Sequence, residues 1–439
     1  MTATPNRRAP GLLLAWFLID ASMGANLWLD GPSTISRVAL AGGIALLLYV
    51  LFRRPSASVH PSFELVELGL GALLVPELLA RIAIPFRPEL PAPTVPVPAL
   101  ATAALAVTLV WFVAVRWGRA PLAAAAVSAV IALAIAARFT IVAWDMEPGF
   151  DVHLIQEAAG KALLAGQNPY LTHIYDSGYP YWPLSAVLAA AGLVFGDARW
   201  GLLVADGVTV AAFIAIARNV GAPGRVGAVA AALLLWNASG LYMTWQSLPE
   251  PAVIALSAVG IAILTRPAPR GWLAGVAFGL AIATKQLALG LLPFLLISRN
   301  PRQRVVFATA TVVSGVIVLA FLALAPSQFI EGSIASHLVE PARTYAINLL
   351  DPLPGIVPRL NVPFVVTAVV ALGIGLAVRL RWPDAIDGWL AASTALLMVA
   401  FALIGISFLN YYQIPLALLL ILVMIPDGWN AESRSPRAA

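Results

Sequence analysis

Acidic residues crowd one stretch of this chain, where Asp145, Glu147, Asp151 and Glu157 follow one another closely. A carboxylate at Asp151 could take a proton from a hydroxyl nucleophile. Asp145, Glu147 and Asp151 together could also hold a divalent ion. No His, Asp and Glu group has clear metal-ligand spacing, so neither a resident metal nor another cofactor is expected. Asp151 also sits where a helix N-cap belongs, just after Pro148-Gly149, and a cap alone would account for it. Lys285 interrupts a long apolar run. A charge at such depth is costly and functional by default, the plain alternative being a lysine that snorkels from a helix end. His337, Glu340 and Arg343 are spaced by three and would share a helical face. Arg343 with His337 beside it could bind phosphate, or the three could form a solvated face. Tyr170, Trp182, Trp245, Tyr411 and Tyr412 offer rings on which a substrate could stack, although aromatics at such positions are more often interface anchors.

The elements that must position these residues are membrane spans. Of 439 residues, 61% are hydrophobic and 11% charged, which excludes a soluble globular domain and a disordered chain. The absence of cysteine rules out disulfides, thiolate metal sites and cysteine nucleophiles. A net charge of +5 would suggest nucleic acid only if the positives clustered on one face. They sit instead in short groups between apolar runs, so no nucleic-acid partner is expected and membrane lipids are.

Apolar runs of spanning length cover residues 11–29, 35–52, 65–84, 99–115 and 122–144, then 200–217, 226–242, 252–264, 305–324, 362–378, 389–408 and 414–425. Residues 272–297 are too long for one span. Basic groups at Arg7/Arg8, Arg53/Arg54, Arg116/Arg119, Arg218/Arg225, Arg266/Arg270, Arg299/Arg302/Arg304, Arg379/Arg381 and Arg434/Arg437 all become cytoplasmic if two spans separate each from the next. That rule turns 272–297 into a hairpin of short helices with Lys285 at its far side. It also makes 182–195 a short helix that dips in or lies on the surface. The expectation is an all-α polytopic protein of about fourteen spans, with both termini cytoplasmic and an uncleaved first span rather than a signal peptide. Two long loops, 145–181 and 326–361, face the other side and carry most of its charge. Glu250 and Lys285 lie on connections at that same side. Arg81 and Arg138, near the outer ends of spans, would pair with Glu64, Glu67 or Glu77, or bind lipid phosphate.

Within 151–166, Leu154, Ile155, Ala158 and Ala162 recur at helical spacing, with His153, Gln156, Glu157 and Lys161 opposite. The segment reads as an amphipathic helix lying at the membrane surface.

These residues resemble a family. Gly149-Phe150-Asp151, then Ala158-Ala159, Leu163-Leu164 and Gly166-Gln167-Asn168-Pro169-Tyr170, look like the first outer loop of the polyprenol-phosphate-sugar-dependent glycosyltransferases of family 87, mannosyltransferase-like members of the GT-C superfamily. Tyr179-Pro180-Tyr181-Trp182-Pro183-Leu184 is similar to the family's Tyr-Pro-Pro-Leu segment, with an insertion. Trp245-Gln246 and the apolar run after Pro251 look like its Gly-Gln-x-Asn span. Gly275 to Gln286, through Lys285, resembles its Gly-rich helix and Lys-containing turn. Ala346-Ile347-Asn348 with Leu353-Pro354-Gly355, and Asn410-Tyr411-Tyr412, are weaker echoes. Trp245 replaces a glycine, Pro249 and Glu250 stand where Asn and apolar residues occur, and Asn410 replaces a Trp/His-type residue.

The resemblance covers roughly residues 122–425. It implies a GT-C-like catalytic membrane domain over 120–430, preceded by a four-span extension over 1–119 and followed by a cytoplasmic tail, 431–439. It implies inverting transfer of a mannose-like sugar from a polyprenyl-phosphate donor to a lipid or glycan acceptor, at the outer face of the cytoplasmic membrane. Asp151 would be the general base. Lys285, Arg343 and His337 would hold the donor phosphate. Glu147, Tyr170, Trp182, Gln246, Glu250, Asn348 and Tyr411 would line the substrate site. The competing expectation is a secondary transporter or lipid flippase, whose polar residues would lie near the midplane on broken helices in two related halves. A diphosphate-using oligosaccharide ligase would need more arginines in the outer loops. No Walker-type loop is present, so nucleotide use is not expected.

Overall fold

The computed structural model describes residues 6–28, 33–53, 61–83, 96–143, 151–172, 178–335, 347–349, 363–404, 407 and 409–429. Glu147, His337 and Arg343 lie outside them, as do Asp145, Glu340 and the loop segments around them. The described residues form eighteen α-helices and no strand. A first group comprises α1 (Ala9–Trp28), α2 (Thr34–Phe52), α3 (Phe63–Ala83), α4 (Val97–Arg116) and α5 (Ala120–Ala143). Next come α6 (Asp151–Leu164), a 3-10 turn (Pro169–Leu171), α7 (Pro183–Leu193) and α8 (Trp200–Asn219). Then follow α9 (Gly224–Trp236), α10 (Ala238–Trp245), α11 (Glu250–Leu264), α12 (Gly271–Thr284), a 3-10 segment (Gln286–Leu291) and α13 (Pro293–Leu296). The chain continues through α14 (Pro301–Leu324), α15 (Pro326–Ile330), a π turn (Glu331–Ala335), α16 (Phe364–Arg381), α17 (Ile386–Leu403) and α18 (Gln413–Met424).

The chain is a multi-pass membrane protein. By length and apolarity, eight helices can cross a bilayer: α1, α2, α4, α5, α8, α14, α16 and α17. A ninth span results if α9 and α10, bent by 60° at Asn237, count as one. The expectation of about fourteen counted runs that fold as shorter pieces. α11, α12 and α18 have 15, 14 and 12 residues, about 18–22 Å at 1.5 Å per residue, against about 30 Å of hydrocarbon. α3 is long enough but carries Glu64, Glu67, Glu77 and Arg81. The expected reversal at Lys285 is present: α12 ends there, and the chain returns through Gln286–Leu296.

Basic groups meet at one end of the bundle. Arg8 donates to the Arg53 carbonyl, pairs with Asp427 and stacks on Trp382. Arg381 stacks on Phe52, and Asp384 takes Arg379 and the Arg299 N–H. α11 ends and α12 begins at this same end, where Leu264 and Pro269 share a cleft with Arg302 and Trp429. α12 and α14 run parallel from it at close range. A Cβ on Gly275 would lie 2.6 Å from Thr309 Cβ, and one on Gly279 2.7 Å from Val313 Cβ. Small residues at four-residue spacing allow this backbone approach, as in other membrane helix pairs.

α11, α12 and α18 all reach the basic end and stop short of the other. α14, with 24 residues, runs on beyond α12 by about seven residues, or about 11 Å. Beyond the ends of α11 and α12, α7 packs against α12, α14 and α8. A separate small core roofs this end: Ile155, Ala159, Tyr170, Tyr179, Tyr181, Ala186, Ala325 and Phe329.

The helix α6 forms as expected, but its inner face differs. His153, Ile155, Gln156, Ala159, Gly160 and Ala162 are buried, while Leu154 is exposed. The cause is partner chemistry. Gln156 donates to Ser185 and accepts from the Tyr179 hydroxyl, and Gly160 lets α6 touch the α7 backbone at Ala189 and Ala190. A polar face thus turns inward because its hydrogen bonds are met there.

Candidate functional site

Lys285 follows the last residue of α12, in extended backbone. It is 3% exposed, so its ammonium needs partners inside the protein. Glu250, the first residue of α11, supplies one: Nζ donates to Oε1 at 2.5 Å, and Glu250 is fully buried. Asn410 Nδ2 donates to the same oxygen, while Glu250 Oε2 accepts no hydrogen bond among the described residues. The ammonium also lies 4.8 Å from the Tyr411 ring centroid and 5.2 Å from that of Tyr181, within cation–π range. The end of α12, the start of α11 and the segments before α7 and α18 therefore deliver five groups to a single point.

Asp151 joins this group from the roof. It is exposed and opens α6, in the first turn rather than as an established N-cap. Its charge reaches Tyr181. Burial pushes that phenol well above its usual range, and Glu250, the Tyr411 phenol and Asp151 push it the same way. The described charges around Tyr181 are thus one cation and two carboxylates.

In the connection between α10 and α11, Gln246 is buried, and neither its Oε1 nor its Nε2 has a partner among the described residues. Ser247 adopts φ 60°, the one non-glycine residue with positive φ among those described. Such strain costs on the order of 1–3 kcal/mol and concentrates where function requires it. Asn348 is buried on the short piece 347–349. Ile347 holds that piece by donating to the Ser407 carbonyl at 2.7 Å and accepting from the Tyr412 hydroxyl at 2.7 Å.

Two other expected residues serve different places. Tyr170 is fully buried with its hydroxyl on the Tyr181 carbonyl at 2.7 Å, and its ring packs 4.6 Å from Phe329 and 5.5 Å from Tyr179. It is core support for Tyr181, with no face open to a sugar. Trp182 precedes α7 and is half-buried, its Nε1 without a partner among the described residues. Tyr181 and Asn410 were not among the expected site residues. The runs Tyr179-Pro180-Tyr181 and Asn410-Tyr411-Tyr412 drew attention, but nothing in their spacing says that each meets Lys285.

Arg138 pairs with Asp206 of α8 at 2.9 Å, not with an N-terminal glutamate. Glu67 takes Arg225 instead. Arg81 and Glu77 are buried beside Asp20, which accepts from Asn237 at 3.1 Å. Among the described residues no His, Asp and Glu group is arranged to hold a metal ion. No family model, no curated protein and no solved structure matches this chain.

Proposed function

We propose that this protein is an integral-membrane glycosyltransferase that moves a sugar from a polyprenyl-phosphate donor to a hydroxyl of a lipid or glycan. The observation that carries the reading is the meeting of Lys285 with Tyr181, on which the charge of Asp151 also acts. An acid and a cation from distant segments then both act on one phenol, and a reaction with an anionic leaving group and a hydroxyl nucleophile requires such a pair. This group lies at the end away from the basic groups, which is the extracytoplasmic end if those groups follow the positive-inside rule.

In this mechanism the acceptor hydroxyl gives its proton to Asp151, and its oxygen forms the new bond to the anomeric carbon. The bond from that carbon to the phosphate oxygen breaks on the opposite face, so the configuration inverts. The phosphate leaves with the electron pair, and Lys285 stabilises the charge that develops there. Gln246 Oε1 and Nε2 offer one acceptor and one donor to sugar hydroxyls.

The experiment is turnover of radiolabelled polyprenyl-phosphate mannose by the purified protein in detergent, where no gradient exists. Labelled lipid or glycan product supports the reading. Absence of transfer across a panel of donors and acceptors overturns it.

One observation favours transport as the second reading. The break between α9 and α10 places Asn237 inside the bundle, bonded to Asp20 and Gln413 at 3.1 Å each, and broken helices with buried polar groups are a transporter feature. Substrate movement in sealed vesicles without detergent turnover would establish that reading.

A further inference from the structure

Lys285 has no second carboxylate among the described residues, and Glu250 has no second cation. The pair cancels, which makes it tolerable in a buried place. With Asp151 also acting on Tyr181, the charges that an incoming phosphate would meet beside Lys285 are already more negative than positive. It could not take Lys285 while Glu250 stayed ionised, because a buried carboxylate without a counter-ion is far costlier than a carboxylic acid.

We propose that Glu250 is an exchangeable counter-ion: donor phosphate displaces it from Lys285, and Glu250 takes up one proton from solvent as it lets go. The inference rests on the proposed binding of donor phosphate at Lys285. The balance is simple. The ammonium–carboxylate pair, a phosphodiester anion and one proton become an ammonium–phosphate pair and a carboxylic acid, with no net change in buried charge.

The geometry suits the exchange. Both contacts to Glu250, from Lys285 and Asn410, fall on Oε1, so Oε2 is open to receive the proton. Once protonated, Oε2 can itself donate a hydrogen bond. Asn410 can continue donating to Oε1 in either state. Nζ sits against the Tyr181 and Tyr411 rings, which stabilise a cation whichever anion faces it. The other titratable or charged groups around Glu250 are accounted for among the described residues. Tyr181 stands before α7 and Tyr411 before α18, Asp151 of α6 acts through Tyr181, and Asp206 of α8 is held by Arg138.

The test uses the full-length protein in detergent and methyl farnesyl phosphate, a phosphodiester that holds a single charge throughout the range examined; farnesol is the uncharged control. Calorimetry in two buffers of different ionisation heat counts protons. The expected result for wild type is uptake of about one proton per ligand bound, with affinity falling as pH rises by up to about tenfold per unit, the limit for one linked proton. Glu250→Gln, which cannot ionise, is expected to bind the probe more tightly and without proton uptake.

Binding by wild type with no proton uptake overturns the exchange but leaves the glycosyltransferase reading standing. So does uptake that persists unchanged in Glu250→Gln. Binding of probe and farnesol with equal affinity, or binding of neither, removes phosphate recognition at Lys285 and overturns both. The wild-type proton count needs no variant, so it decides the matter even if Glu250→Gln fails to fold.

Discussion

Glu67 and Glu250 are both fully buried carboxylates facing one cation, and they are closed off differently. At Glu67, Arg225 Nε lies 2.8 and 2.7 Å from the two oxygens, so both are engaged and α3 is tied to α9. At Glu250, one oxygen takes Lys285 and Asn410 while the other takes nothing among the described residues. Arginine is a broad, delocalised donor that suits a permanent tie, whereas lysine is a compact charge on a flexible stem that changes partner readily. The first pair holds helices together; the second has unused bonding capacity. Buried ion pairs are thus not one class of feature, and the orphaned atom separates them.

The sharpest way to break that contrast is through catalysis. Asp151→Asn is expected to lower sugar transfer by about 10²–10⁴-fold, the range for loss of a general base. Melting temperature should stay unchanged, because Asp151 is exposed. Near-normal turnover in the radiolabel assay would show that Asp151 is only a helix-end charge.

Removing one cation at a time separates the two pairs next. Arg225→Met strands Glu67 and is expected to cost about 3–5 kcal/mol of stability, read as detergent-dependent melting, with Glu67→Gln in the same chain restoring most of it. The matching double variant, Lys285→Met with Glu250→Gln, should keep stability but abolish phosphodiester binding in calorimetry. If it instead binds like wild type, the open pair is merely structural.

A smaller effect tests the scaffold under Lys285. Gly279→Val adds a branched side chain where a Cβ alone would lie 2.7 Å from Val313 Cβ and 2.9 Å from the Ala310 carbonyl. Overpacking of this kind costs about 1–3 kcal/mol. Because α12 ends at Lys285, donor affinity should fall along with the melting temperature. Gly207, where a Cβ would meet nothing within 4 Å, should accept Val with little change in either.

The smallest effect is at the roof. Burial pushes His153 below the usual imidazole range, with Arg199 and Lys161 assisting and Asp197 and Glu157 opposing. The unfolded chain therefore binds the proton first as pH falls. The stability this neutral histidine provides is present above about pH 6.5, the unfolded value, and is lost as pH falls through the lower folded value. His153→Gln should flatten melting temperature over that window, while activity at neutral pH stays unaltered.

Much of the architecture could be read from the chain because hydropathy and charge are local properties. The turn at Lys285 followed from the basic groups on either side of it, since two crossings must separate groups on one side. The roof helix followed from periodicity, although its inner face did not. Leu154 looked buried and Gln156 looked exposed until Ser185 and Tyr179 arrived to satisfy the amide. Tyr170 looked like a binding aromatic because type and position cannot distinguish a core tyrosine from a stacking one; Phe329 and the Tyr181 carbonyl decide that. Asn237 lies within an apolar run, yet it caps α10 at the break between two helices and bonds to Asp20 across 217 residues of chain.

The sequence by itself determined a multi-pass helical protein, the end of the bundle where arginine gathers, and a lone ammonium at a hairpin. Run length and charge placement suffice for those, because the cost of putting polar groups into hydrocarbon is paid residue by residue. Only the tertiary structure decided which anion meets that ammonium. Glu250 and Asn410 stand 160 positions apart, and their meeting depends on three helices ending at the same depth. That is a property of packed lengths, and no local pattern encodes it.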